Sequence, residues 1–220
     1  TPGVTPYRLG DGLLPADLDG STLPPPGTPN FYIGSQDDGG PYGAPSDALN
    51  IWKFHVDFVT PTKSTFTLAN TVAVGAFDSM FPCAPGSREC IPQPGTAQKI
   101  DHQGYRQRPL HRAAYRNFGT HDSIVTNQSV EAAAGISGIR WWEIRSPNSG
   151  PTIFQEGTYA PGVTDGIHRW MGSMAQDKQG NMALGFSASN TAVFPSSWYT
   201  GRLVGDALGT MGQGEGSFIN

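Results

Sequence analysis

Three stretches of this chain repeat one pattern in units about 60 residues long, with an insertion after the first, which limits the possible folds more than any other feature. Asn30-Phe31-Tyr32-Ile33-Gly34 aligns with Asp122-Ser123-Ile124-Val125-Thr126 and with Asn181-Met182-Ala183-Leu184-Gly185. Roughly 15 to 20 residues after each comes a second match: Asn50-Ile51-Trp52-Lys53-Phe54, Gly138-Ile139-Arg140-Trp141-Trp142 and Ser196-Ser197-Trp198-Tyr199-Thr200. A unit of this size cannot bury its own apolar face, so it must stack on neighbours. The reading is an all-β chain: a partial β-propeller of about three four-stranded blades, the remaining blades missing or supplied by another chain, since closed propellers use about four to eight.

Each unit divides into four short strands. The first takes Leu13 to Gly20, Asn30 to Ser35, Ala48 to Phe58 and Ser64 to Phe77. The second takes His111 to Phe118, Ser123 to Val130, Ile136 to Arg145 and Pro151 to Tyr159; the third takes His168 to Asp177, Asn181 to Ser189, Ser196 to Leu203 and a weak segment from Leu208 to Phe218. Residues 1–77 then form blade one with a Pro-rich lead, 78–110 an inserted loop, 111–161 blade two and 162–220 blade three, in one continuous domain. Trp52, Trp142 and Trp198 recur at equivalent positions, which reads as packing rather than sugar stacking.

With 29 glycines and 19 prolines, turn-forming residues exceed a fifth of the 220, against an ordinary background of about 12%. Aromatics at 10% recur in phase with the repeat, which argues for many short strands rather than disorder. The net charge of -4 with 15% charged residues leaves no basic footprint, so nucleic acid is not an expected partner. No apolar run approaches the ~20 residues of a membrane-spanning helix. The chain opens in a Pro/Gly-rich stretch at Thr1, read as a processed or excised end, compatible with a signal peptide lost upstream. Cys83 and Cys90 close a small loop in the insertion. A disulfide there fits an extracellular setting, with free thiols as the alternative; no second Cys or His pair supports zinc.

Asp177-Lys178-Gln179-Gly180-Asn181 reads as a hairpin turn, with Asp and Asn capping and Gly180 at positive φ. The turn is similar in topology to those of sialidase-like Asp-box blades, although it lacks the Ser or Thr before the Asp and the aromatic after the Gly. Tyr115-Arg116-Asn117-Phe118-Gly119-Thr120-His121, Gly138 to Glu143, Gly157-Thr158-Tyr159-Ala160-Pro161 and His168 to Ser173 together resemble a family of secreted bacterial propeller proteins without an established activity. The resemblance implies further blades beyond Gly214-Glu215-Gly216, and it implies no catalytic residues.

Three clusters carry candidate chemistry. His111, Arg112, Tyr115, Arg116 and His121 form the toolkit of a polysaccharide lyase, in which a cation neutralises a uronate and Tyr or His moves the proton. Their alternative role is packing and hydrogen bonding between blades. Glu143, with Arg145, His168 and Arg169 nearby in the pattern, offers one of the two carboxylates a glycosidase needs; Asp57, Asp122, Asp165 and Asp177 are possible partners, and salt bridging is the alternative. Asp17 and Asp19, and Asp37 and Asp38, alternate with or precede glycine as Ca²⁺ loops do, or as Asx-capped turns do. No other cofactor is expected. Asn127-Gln128-Ser129 is a formal glycosylation sequon inside an expected strand. Nucleophile elbow, P-loop, dinucleotide and zinc-protease motifs are absent.

The sequence therefore favours a secreted or cell-surface module that works in binding or assembly without catalysis. Its expected partners are further blades of the same protein or another chain, a second copy of itself, or a glycan. A glycan-active lyase or hydrolase with its site in the propeller funnel is the alternative.

Overall fold

The computed structural model describes residues 3–80, 89–102 and 107–218. Fourteen strands are found among them: β1 Leu14–Asp19, β2 Asn30–Gln36, β3 Ala48–His55, β4 Thr65–Ala73, β5 Glu89–Ile91, β6 Ile100–Asp101, β7 Leu110–Asn117, β8 Asp122–Ala133, β9 Ile136–Arg145, β10 Thr152–Tyr159, β11 His168–Gln176, β12 Met182–Ser189, β13 Ser196–Arg202 and β14 Glu215–Ser217. Helix is limited to two 3₁₀ turns, Pro6–Arg8 and Pro61–Lys63, and to α1, Gly162–Asp165. The protein is all-β, and the twelve strands read from the repeat all form. The aligned segments are the second and third strands of each run: β2 and β3, β8 and β9, β12 and β13.

The separation into three independent four-stranded units does not hold for the first two. Residues Ala16 to Asp19 of β1 pair in parallel with Ala113 to Arg116 of β7, joining both runs into one curled eight-stranded sheet of order β10-β9-β8-β7-β1-β2-β3-β4. The third run stays a separate antiparallel sheet, β11-β12-β13-β14. Nor is the insertion a bare loop. Its described part carries the β5–β6 hairpin, whose Cys90, Ile91 and Ile100 pack on Trp170 of β11. The expected Cys83–Cys90 bridge cannot be placed, because Cys83 lies outside the described residues.

Alternation along β7, β8 and β9 feeds two cores, because both faces of these strands are covered. Ala113, Tyr115, Ile124, Trp142 and Ile144 point into the hollow of the curled sheet, where they meet Phe31, Ile33, Leu49 and Ile51. Ala114, Val125, Ile139 and Trp141 point the other way, onto Met174, Met182, Leu184, Phe186 and Ala188 of the four-stranded sheet. The two sheets approach closely where β11 passes β8: a Cβ at Gly172 would strike the Asn127 side-chain oxygen. Trp142 lies in the first core and Trp198 lines the second, while Trp52 is buried and stacks on Phe66, as the packing reading expects.

Candidate functional site

The antiparallel registers bring several strand ends to one side of the molecule. Asn117 pairs with Asp122, Ser123 and Thr152 with Arg145, and Gln176 and Arg202 with Met182. At this side a cavity of about 110 Å³ is lined by His121, Glu143, Arg145, Gln155, Gln176 and Arg202, with Phe118, Phe154, Val204 and Leu208 around them. It has room for several waters or a small solute.

Glu143 sits at the inner wall, 1% exposed. Its carboxylate accepts from Arg145 Nε at 2.8 Å and from Gln155 Nε2 at 2.6 Å. Burying a carboxylate is tolerated only with such partners. The Arg145 guanidinium lies 3.2 Å from the centre of the Phe154 ring, a cation–π contact that fixes its plane. His121 stacks on Phe118 with ring centres 4.7 Å apart. Burial, helped by the charge of Arg145, lowers the His121 pKa, so the ring is neutral at pH 7. Gln176 accepts from Ser123 Oγ at 2.7 Å. Arg202 is 2% exposed; its Nη2 donates to the Asp206 carbonyl oxygen at 2.9 Å, and its Nε has no acceptor.

Of the six expected catalytic candidates, only His121 and Glu143 share this cavity. Tyr115 belongs to the first core and lines a neighbouring cleft with Ala16 and Phe31. Its hydroxyl donates to Asp122 at 3.2 Å, and burial together with that carboxylate pushes its pKa up, so it remains a protonated phenol. Arg116 lies in another cleft, with Asp19 and Asp177, and donates to the Gln176 carbonyl at 2.9 Å. His111, exposed, and His168, buried near the Ser137 amide, start β7 and β11, at the opposite end of those strands from the cavity. Glu143 is the single acid among the cavity's lining residues, and no second carboxylate faces it there.

The acidic runs divide differently. Asp17 and Asp19 already hold a cation, for the Arg112 guanidinium bonds to both, with Nε to Asp17 at 2.8 Å and Nη1 to Asp19 at 3.0 Å. Asp37 and Asp38 gather with Asp47, their ligand oxygens within 4.8 Å of one another. The two buried members accept backbone donors: Asp37 from Gly39 at 2.8 Å and Ser79 at 2.6 Å, and Asp47 from Asp38 and Phe77, both at 2.9 Å. Burial pushes the Asp47 carboxyl above its usual range. These bonds are those of a braced turn. Asn127 of the sequon is fully buried in β8.

Sequence reasoning passed over Gln155, Gln176 and Arg202. Amides carry no motif signal, and these residues become neighbours only through strand registers. Comparison with known proteins returns no matching family model, no matching curated protein and no matching solved structure.

Proposed function

We propose that the chain is a secreted or cell-surface β-propeller module that works in binding and assembly rather than catalysis. The observation that carries this reading is the outer face of the four-stranded sheet. Residues directly opposite one another across a sheet point to the same side. On the side away from the core the rows are Ala175, Ala183 and Gly201; then Ser173, Gly185, Tyr199 and Gly216; then Trp170, Ser187 and Ser197. Trp170 is buried under the β5–β6 hairpin; the others are exposed or half-buried, and no residue in these rows is charged. Tyr199, 45% exposed, packs on Phe218 at 4.9 Å, and together they make an apolar edge. A face of mostly small neutral residues suits close approach by another sheet and is poorly suited to open water.

The occupant of this face is a further blade, from the same protein or from another chain. A non-catalytic role is supported by how the charged residues are used. Arg112, Arg140 and Arg169 are engaged in ion pairs that tie strands and loops together, and Glu143 pairs with Arg145 on its own strand while accepting from Gln155 of β10. Sedimentation velocity over a concentration series tests the reading, since the part of the face that the β5–β6 hairpin leaves open drives self-association. The wild-type chain is expected to grow beyond monomer mass with concentration, and Ala183→Glu to stay monomeric. A wild-type chain that stays monomeric throughout, or a variant that associates equally, contradicts it.

A further inference from the structure

The cavity beside Glu143 is lined by a guanidinium with an open donor. Arg145 and Glu143 neutralise each other through the 2.8 Å bond, and Gln155 takes the second carboxylate oxygen. The Asp206 carboxylate acts on the Arg202 charge through space, without a hydrogen bond to it. Arg202 is 2% exposed and forms no ion pair among the described residues. Its printed hydrogen bond goes to the backbone carbonyl of Asp206, while the Asp206 carboxylate turns to Leu203 N and Gln213 Nε2, both at 2.8 Å. The Nε–H, buried and without an acceptor, belongs to a residue that lines the cavity. A buried guanidinium left with an open donor is costly unless an anion completes it.

The groups around it fit a carboxylate. A guanidinium presents a planar fork matched to two carboxylate oxygens. Arg145 is held flat on Phe154 at the same cavity, which adds a second pre-positioned cation face. Gln176 has spent its oxygen on Ser123, and its amide nitrogen reaches Gly180 O only at 3.5 Å, so that group remains a weakly engaged donor. Glu143 at the inner wall repels a second acid, which limits the site to one carboxylate group.

We infer that this cavity binds the carboxylate of a small organic acid, with Arg202 as its principal partner. The acid is either a simple aliphatic carboxylate or the uronate of a glycan; the chemistry read by Arg202 is the same. The inference deepens the binding-module reading and rests on it only in that the ligand is held and not transformed.

Titration of ¹⁵N-labelled protein by NMR, following the Arg202 Nε–Hε signal and the Gln179 and Gly180 amides, tests this. Acetate is expected to shift these signals saturably, and its neutral isostere acetamide to leave them unmoved. Methyl β-D-glucuronide and methyl β-D-glucoside separate the two sources: stronger binding of the glucuronide than of acetate, with the glucoside silent, identifies a glycan acid, and acetate alone identifies an aliphatic one. Arg202→Lys should weaken the response at least tenfold, and Glu143→Gln should strengthen it. If either variant fails to fold, the contrast between acetate and acetamide on the wild-type protein still decides. Equal shifts from acetate and acetamide, or none from either acid, overturn the site while leaving the sheet-face assembly to its own test. Cleavage of the glucuronide would keep the site and overturn the non-catalytic reading.

Discussion

The Arg169 guanidinium on β11 reaches across the four-stranded sheet to the Glu215 carboxylate on β14, with Nε to Oε1 at 2.9 Å and Nη2 to Oε2 at 2.6 Å. It also grips Asp165 at the end of α1, at 2.7 and 2.9 Å. Burial works against its charge, yet the two carboxylates outweigh that and hold its pKa above the ordinary arginine value. β14 has three residues, so this pairing is a principal tie on the last strand. Arg169→Met leaves Glu215 half-covered and unpaired and should cost about 3 kcal/mol, at the low end for a broken buried pair because Asp165 stays partly hydrated. Hydrogen exchange should show β14 opening first. A loss under about 1 kcal/mol in urea denaturation contradicts the tie.

Trp141 and Trp142 are neighbours on β9 that serve different cores. In a sheet with one solvated face, one of two such neighbours would be nearly free to replace. Here Trp141→Ala and Trp142→Ala should each cost about 3 to 5 kcal/mol in urea unfolding. A negligible cost for either would mean that one face of the eight-stranded sheet is open.

Acid should weaken the fold through His102. Burial lowers its pKa from 6.5 to about 4. A base whose folded pKa is depressed contributes stability that is complete above the unfolded value and is lost as pH falls. Stability should therefore drop between about pH 6.5 and 4, by up to about 3 kcal/mol from this group. Burial lowers His168 in the same direction. Asp47 and Asp78, whose carboxyls burial pushes up, work the opposite way at the acid end. In thermal melts across this range, His102→Gln should flatten the profile; an unchanged slope contradicts the assignment.

Two hydroxyls on β8 should respond in opposite directions. Ser123 Oγ donates to Gln176 at 2.7 Å, so Ser123→Ala should cost about 1 kcal/mol. Thr126 Oγ1 is fully buried with no protein partner, so Thr126→Val should be neutral or stabilising, by about 1 to 3 kcal/mol. Chemical denaturation of both variants checks the pair, and a destabilised Thr126→Val would place a bond on that hydroxyl.

The strands were legible because their signals are local. Thr65 to Ala73 alternates in sequence and in burial, and the turn from Asp177 to Asn181 forms as read, with Asp177 accepting from Gln179 N and Asn181 N and Gly180 at φ 93°. The parallel pairing of β1 with β7 was not legible, since it joins Ala16 to Ala113 with no local mark on either. Nor was the burial of Thr126, Asn127, Gln128 and Ser129. Their polarity suggests solvent, whereas a strand covered on both faces buries whatever it carries. Glu143 and Arg145 were legible as one charged cluster with salt bridging between blades as its alternative, not as the pair they form within β9, and Arg202 enters their cavity only through its register with Met182.

Hydroxyl-radical footprinting of Tyr199 tests the central claim most directly, because this ring stands on the neutral outer face of the β11–β14 sheet. With the sheet face as the assembly surface, Tyr199 oxidation should fall steeply as the chain associates, while Phe58, 90% exposed on the β3–β4 connection, stays fully reactive. Tyr199 oxidised at the same rate in monomeric and associated protein would contradict the account.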